Sequence, residues 1–155
     1  KNNSLDLSNG ILIHSGGWKK MIESAVDNDV FRKSFKKHFK LNSIHNFYGM
    51  VEQLGSIILE GPDGLLYPPN FGDVIIRDPK TFEVVPFGKT GIIQVLSIIP
   101  QSYPGHSILT EDIGVIEKTS GNNGDWNGPG LKIIGRVPKT DLRGCSDVIS
   151  QKMSS

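Results

Sequence analysis

Apolar residues in this chain fall into short, β-branched runs separated by glycine, proline and aspartate, and one longer stretch breaks that rule. The first run, Ile11-Leu12-Ile13, is stopped by Gly16-Gly17, which predicts a buried strand ending in a glycine turn. Residues 19–41 contain few breakers and place Phe31, Phe35 and Phe39 four apart. That spacing predicts an amphipathic helix, which Asn28 or Asp29 could cap. Its other face carries Arg32, Lys33, Lys36, Lys37 and Lys40, read as a solvated surface.

From residue 44 onward the period shortens. A second strand ends at Asn46-Phe47-Tyr48, and further strands are expected over residues 56–60, 65–67, 74–77, 91–98, 113–117 and 131–137. Gly61-Pro62-Asp63-Gly64 and Asp78-Pro79-Lys80-Thr81 have the chemistry of hairpin turns, so the series favours antiparallel pairing. Residues 119–130, rich in glycine and asparagine, read as an exposed, mobile loop. The expected class is α+β. A strand-helix-strand element of an α/β sheet occupies residues 1–55, an antiparallel, distorted β-barrel-like subdomain residues 56–145, and a flexible tail residues 146–155.

Composition narrows the partners. The 155 residues hold 17 basic and 16 acidic side chains, a formal net charge of +1, too balanced for a nucleic-acid coat or a charged membrane-surface protein. The longest apolar stretch, residues 91–100, falls well short of the roughly 20 residues that span a bilayer. A single cysteine, Cys145, excludes an internal disulfide, and a reducing cytoplasm fits best. The chain opens Lys1-Asn2-Asn3-Ser4, without an initiating methionine or a secretory core, and reads as a processed product or, in preference, a piece of something longer.

Several short segments could carry chemistry. Gly16 and Gly17, at the carboxyl end of a strand, would let backbone approach a flat ligand. Tyr48 could stack on a purine, Gly49 admit close backbone, and Glu52 hold Mg²⁺ together with phosphates and water. Asp112, before a strand, suits the two hydroxyls of a ribose, and Arg136, at the end of another, could grip the same sugar or a phosphate.

Together and in this order, these segments resemble the adenylate-forming superfamily. More closely, Ser15-Gly16-Gly17-Trp18-Lys19, Tyr48-Gly49-Met50-Val51-Glu52-Gln53, Ser102-Tyr103-Pro104-Gly105, Leu109-Thr110-Glu111-Asp112-Ile113-Gly114, Gly135-Arg136 and Arg143-Gly144-Cys145 resemble the acyl-protein synthetase family. That family is the fatty-acid-activating component of the bacterial bioluminescence fatty-acid reductase complex. The resemblance runs from about Gly10 to Cys145. It implies the fold of the C-terminal part of the large domain of adenylate-forming enzymes. It also implies a ligase that uses ATP and Mg²⁺ to turn a fatty acid or another carboxylic acid into an acyl-adenylate, then passes the acyl group to a thiol.

Carried over residue by residue, the resemblance implies Gly16 and Gly17 at the adenine, Tyr48 and Gly49 at the base, and Glu52 at Mg²⁺. Asp112 would take the ribose, Arg136 the ribose or α-phosphate, and Cys145 the acyl group. Arginines near Cys145 would favour its reactive thiolate. The implied partners are an acyl-reductase or an acyl-carrier protein, and exposed sheet edges could pair two copies into a homodimer. The sequence departs from the superfamily in three places. Val51 stands where threonine usually meets the α-phosphate, no Ser/Thr/Gly-rich phosphate loop precedes the first strand, and ten residues after Cys145 leave no room for a C-terminal lid. A non-catalytic binding or interaction module derived from the nucleotide fold is the alternative reading.

Overall fold

Strand pairing changes along the chain where the sequence pattern changes. A computed structural model describes residues 5–17, 23–118, 126 and 128–137. Trp18, Lys19, most of the 119–130 stretch, and Arg143, Gly144 and Cys145 lie outside them, as does the tail expected at 146–155.

Among the described residues, strand β1 (Ile11–Ser15), helix α1 (Asn28–Phe39) and strand β2 (Ser43–Tyr48) are followed by β3 (Ile58–Glu60), β4 (Leu66–Tyr67), β5 (Gly72–Arg77), β6 (Gly91–Ser97), β7 (Ser107–Glu117) and β8 (Gly130–Arg136). They form one mixed sheet in the order β1-β2-β3-β4-β8-β7-β6-β5. β1 and β2 pair in parallel, with α1 in the connection that such a pair requires. Every other ladder among the described residues is antiparallel. The α+β class expected from the sequence is the one observed, and β2 pairs with β3 across the turn at Gly55.

The helix occupies only the second part of the 19–41 stretch, and its cap is one residue before the first of the two expected. Asp27 has extended backbone, and its carboxylate accepts from Val30 N at 2.8 Å. Asn28 is already helical, and its side-chain amide is committed to Glu60 instead. The chain leaves the helix through Lys40 in the left-handed region, at φ 56°. Phe31, Phe35 and Phe39 form a ladder with centroids 4.6 and 5.5 Å apart, and Phe31 packs on the His14 ring of β1 at 4.6 Å. The aromatic stripe therefore seats the helix on the parallel pair.

The main core lies in the antiparallel part, where Ile58, Leu66, Val74, Ile76, Ile93, Val95 and Leu131 cluster out of water. Truncating one such side chain to alanine costs about 2–5 kcal/mol. β7 begins at Ser107, six residues before the expected start. Ser107, Thr110, Glu111 and Asp112 interrupt the apolar run that marks a strand in sequence, but Ile108 and Leu109 pair with Val95 and Gln94 of β6 and extend the ladder. Tight packing also explains Gly91, where a Cβ would stand 2.3 Å from Arg77 O on β5. No helix among the described residues is long and apolar enough to cross a membrane.

Candidate nucleotide-facing site

The last residues paired between β1 and β2 are Ser15 and Phe47. Gly16-Gly17 and Tyr48-Gly49 therefore follow side by side at the carboxyl end of the parallel pair, with Tyr48 still paired to Ile58 of β3. That end is where α/β sheets leave room for ligands. Gly16 has φ 91°, and a Cβ built on Gly16 or Gly17 meets nothing within 4 Å. Their conformation and open surroundings leave backbone accessible to a flat group. Gly49 is more enclosed, with Ser56 O 3.6 Å and the Phe47 ring 3.8 Å from a Cβ position.

Tyr48 links this end to the far side of the sheet. Its hydroxyl donates to Asp112 Oδ2 at 2.7 Å. Asp112 faces Arg136 across the β7–β8 ladder, and Arg136 Nε lies 3.3 Å from Asp112 Oδ1. The guanidinium also donates to Glu111 Oε2 at 2.9 Å. β2 and β7 are separated by β3, β4 and β8 in the sheet order, so a direct side-chain bond between them requires the sheet to curl. That curl brings Tyr48, Asp112 and Arg136 together from three strands.

The cluster is electrostatically ordered. Burial pushes the Tyr48 phenol above its ordinary range, and the hydrogen bond and charge of Asp112 push it further. Tyr48 is thus a neutral donor at physiological pH. Asp112 is fixed from its backbone as well, since its N–H donates to Thr110 Oγ1 at 3.1 Å while that hydroxyl donates to Ile93 O at 2.8 Å. A carboxylate offers about four lone-pair positions. Tyr48 and Arg136 occupy two of them, which leaves capacity for a pair of sugar hydroxyls.

Glu52 lies on a 3-10 turn, Val51–Gln53, and is exposed. Val51 is 61% exposed, so its apolar side chain is not recruited into the core. Among the described residues no group of three or more His, Cys, Asp or Glu side chains could hold a metal ion. Mg²⁺ is commonly bound by one or two carboxylates together with substrate phosphates and water. A lone solvent-facing Glu52 fits that mode and no all-protein cage. An apolar groove lined by Val74, Ile76, Val84, Pro86, Phe87 and Ile116 includes none of these residues.

Two supporting features had no role assigned from the sequence. Glu60 is 1% exposed. Its carboxylate accepts from Asn46 N on β2 at 2.7 Å and from the Asn28 side chain, and lies 3.4 Å from Arg32 NH1. Its carbonyl accepts from His45 Nδ1 at 2.9 Å. One residue thus ties α1 and β3 to the strand that carries Tyr48. The signal was its place two residues after Ile58, on the same inward face. The second feature is Gly105, where a Cβ would lie 2.7 Å from Glu52 O and 2.2 Å from the Tyr103 ring. The Ser102-Tyr103-Pro104-Gly105 segment therefore packs on the turn that carries Glu52.

Over residues 1–154 the sequence matches the protein family described as acyl-protein synthetase, LuxE. The long-chain-fatty-acid–luciferin-component ligase of Vibrio harveyi is 28% identical over 147 residues, which cover 93% of this chain and 38% of that protein. Among solved structures, ATP-bound MatB from Rhodopseudomonas palustris aligns with a TM-score of 0.53 at 18% identity, over 81% of this chain and 25% of that one. The luciferase-like enzyme from the nonluminescent Zophobas morio mealworm aligns at 0.56 and 21% identity, over 88% and 33%. At these identities the structural likeness is one of fold. The chain spans 38% of the length of its curated relative.

Proposed function

The chain belongs to the acyl-protein synthetase family, and on that premise we propose that it carries the nucleotide-facing part of an ATP-dependent acid–thiol ligase of the adenylate-forming superfamily. The substrate is a fatty acid or another carboxylic acid. In the first step a carboxylate oxygen attacks the α-phosphorus of ATP, the bond to the β-phosphate breaks, and pyrophosphate leaves. In the second, the Cys145 thiolate attacks the acyl carbonyl, a thioester forms, and AMP leaves with the electron pair of the broken C–O bond.

The convergence of Tyr48, Asp112 and Arg136 at the open end of the parallel pair carries this reading. Asp112 accepts the ribose hydroxyls on the lone pairs left by its two partners. Tyr48 presents its ring to the base while its hydroxyl stays on Asp112. Arg136 supplies positive charge to the ribose or α-phosphate. Gly16, Gly17 and Gly49 keep side chains out of the path of the base. Glu52 holds Mg²⁺, which when bound neutralises phosphate charge. Cys145 lies outside the described residues, and its role rests on Arg143-Gly144-Cys145 alone. An acyl-reductase or acyl-carrier protein then receives the acyl group.

The test is intact-protein mass after incubation with a preformed long-chain acyl-adenylate. An acyl adduct that hydroxylamine removes, and that Cys145→Ser does not form, supports the acceptor role. No adduct on the wild-type chain overturns it. The exposed Val51, which cannot hydrogen-bond a phosphate, favours one other reading, a binding module that keeps the nucleotide fold without the chemistry. Such a module would dock onto a partner and show neither the adduct nor AMP affinity.

A further inference from the structure

Of the turn that carries Glu52, only one residue is out of water. Val51 and Leu54 are 61% and 68% exposed, and Glu52 is exposed, whereas Gln53 is 3% exposed. The Gln53 side-chain amide donates to Gly105 O at 2.9 Å in a buried contact. Beside it, Ser56 Oγ donates to Ser97 Oγ at 2.6 Å, also buried. These two bonds stitch the segment after β2 to the end of β6 and to the segment between β6 and β7. Gly105 makes the approach feasible, since any side chain there would strike the Glu52 carbonyl and the Tyr103 ring. Two residues after Gly105 begins β7, which carries Asp112.

We propose that Gln53 is a positioning residue for Glu52: its buried amide, bonded to Gly105 O, holds the Glu52 turn against the segment leading into the Asp112 strand. The proposal rests on the reading of Glu52 and Asp112 as the cation and ribose residues. A cation on Glu52 must reach the phosphates of a nucleotide anchored at Asp112, so the spacing between the turn and β7 decides whether both contacts form in one complex. A bond to a carbonyl needs a donor, which defines the substitutions. Gln53→Ala removes the amide. Gln53→Glu keeps its shape but its carboxylate cannot donate.

The test uses Mn²⁺ alone as the probe, read by paramagnetic broadening of backbone amide resonances, followed by calorimetric titration with AMP and with ATP plus Mg²⁺. In the wild-type chain Mn²⁺ broadens the amides of Glu52 and Gly105 together. In Gln53→Ala it broadens Glu52 and spares Gly105. AMP affinity stays near the wild-type value, while the gain in ATP affinity on adding Mg²⁺ falls by about 10-fold or more, as for loss of a partner that orients a metal ligand. In Gln53→Glu, which keeps the shape and lacks the donor, Gly105 is spared as it is in Gln53→Ala.

Joint broadening in both variants overturns the proposal, as does an equal fall of AMP and Mg-ATP affinity, which marks a merely structural role. If wild-type Glu52 shows no broadening, the cation reading fails and the proposal with it. If Glu52 and Gly105 respond as expected but AMP does not bind, only the nucleotide reading fails.

Discussion

The Tyr48 hydroxyl stands 2.7 Å from Asp112 Oδ2 and donates to it, although the two residues are 64 positions apart in sequence. This bond closes the curl of the sheet between β2 and β7 and fixes the carboxylate assigned to the ribose. Tyr48→Phe keeps the ring and deletes the donor. A hydrogen bond to a charged group contributes about 1.5–3 kcal/mol, so urea unfolding of the variant should show a loss in that range with an unchanged m-value. AMP affinity should fall less than in Tyr48→Ala, which also removes the ring.

The same phenol sets an alkaline limit. Its folded-state value is raised by burial first and by Asp112 second, so the native state holds a proton that the unfolded chain releases near pH 10. Stability from this group is complete below about pH 10 and is lost as pH rises towards the folded-state value. Thermal unfolding from pH 8 to 11 should show a decline above about pH 10 that is shallower in Tyr48→Phe. Equal slopes would show that Tyr48 does not set the limit.

An acid counterpart lies under α1. Burial lowers the His14 imidazole below its ordinary value, and Arg32 adds to the effect, while Glu60 opposes it. Here the unfolded chain takes up the proton first. The contribution is full above about pH 6.5 and is lost as pH falls through the lowered folded-state value. His14→Gln should flatten the decline in stability between pH 7 and pH 5, measured by urea midpoint.

Glycines separate packing from ligand approach. Gly91→Ala forces a Cβ onto Arg77 backbone and should destabilise markedly or prevent folding. Gly17→Ala meets open space, and no positive φ strains it. Its unfolding midpoint should match the wild type, while AMP affinity drops. A Gly17→Ala chain that binds AMP normally would remove Gly17 from the base-facing surface.

Glu60 is a buried carboxylate whose partners cannot all find substitutes. Glu60→Ala leaves Asn46 N and Arg32 without it. Removing one member of a buried pair costs about 3–5 kcal/mol, and the lower end applies because the Arg32 side chain remains 21% exposed. Glu60→Gln should cost less, because its amide oxygen still accepts from Asn46 N. Equal losses for the two variants would assign the effect to volume alone.

Local signals in the sequence carried the elements that local chemistry determines. Four-residue phenylalanine spacing marked α1, glycine stops marked the end of β1, and apolar runs marked most antiparallel strands. Asp112 and Arg136 also stood out, each beside an apolar run. Their meeting with Tyr48 was not legible, because it depends on the accumulated curl of three intervening strands. Polar residues concealed the first half of β7 for a similar reason, since its pairing to β6, and not its own pattern, holds it there. Glu60 and Gln53 looked like any surface polar residues until burial separated them from their exposed neighbours.

The central claim is that Asp112, held by Tyr48 and Arg136, binds the ribose of an acyl-adenylate. Calorimetric titration with a non-reactive mimic, in which an acyl sulfamate replaces the acyl phosphate, tests it directly. The account predicts saturable one-to-one binding by the wild-type chain and an affinity lower by about tenfold or more in Asp112→Ala, equivalent to about 1.4 kcal/mol or more. No saturable binding by the wild type, or equal affinity in the two chains, would contradict it.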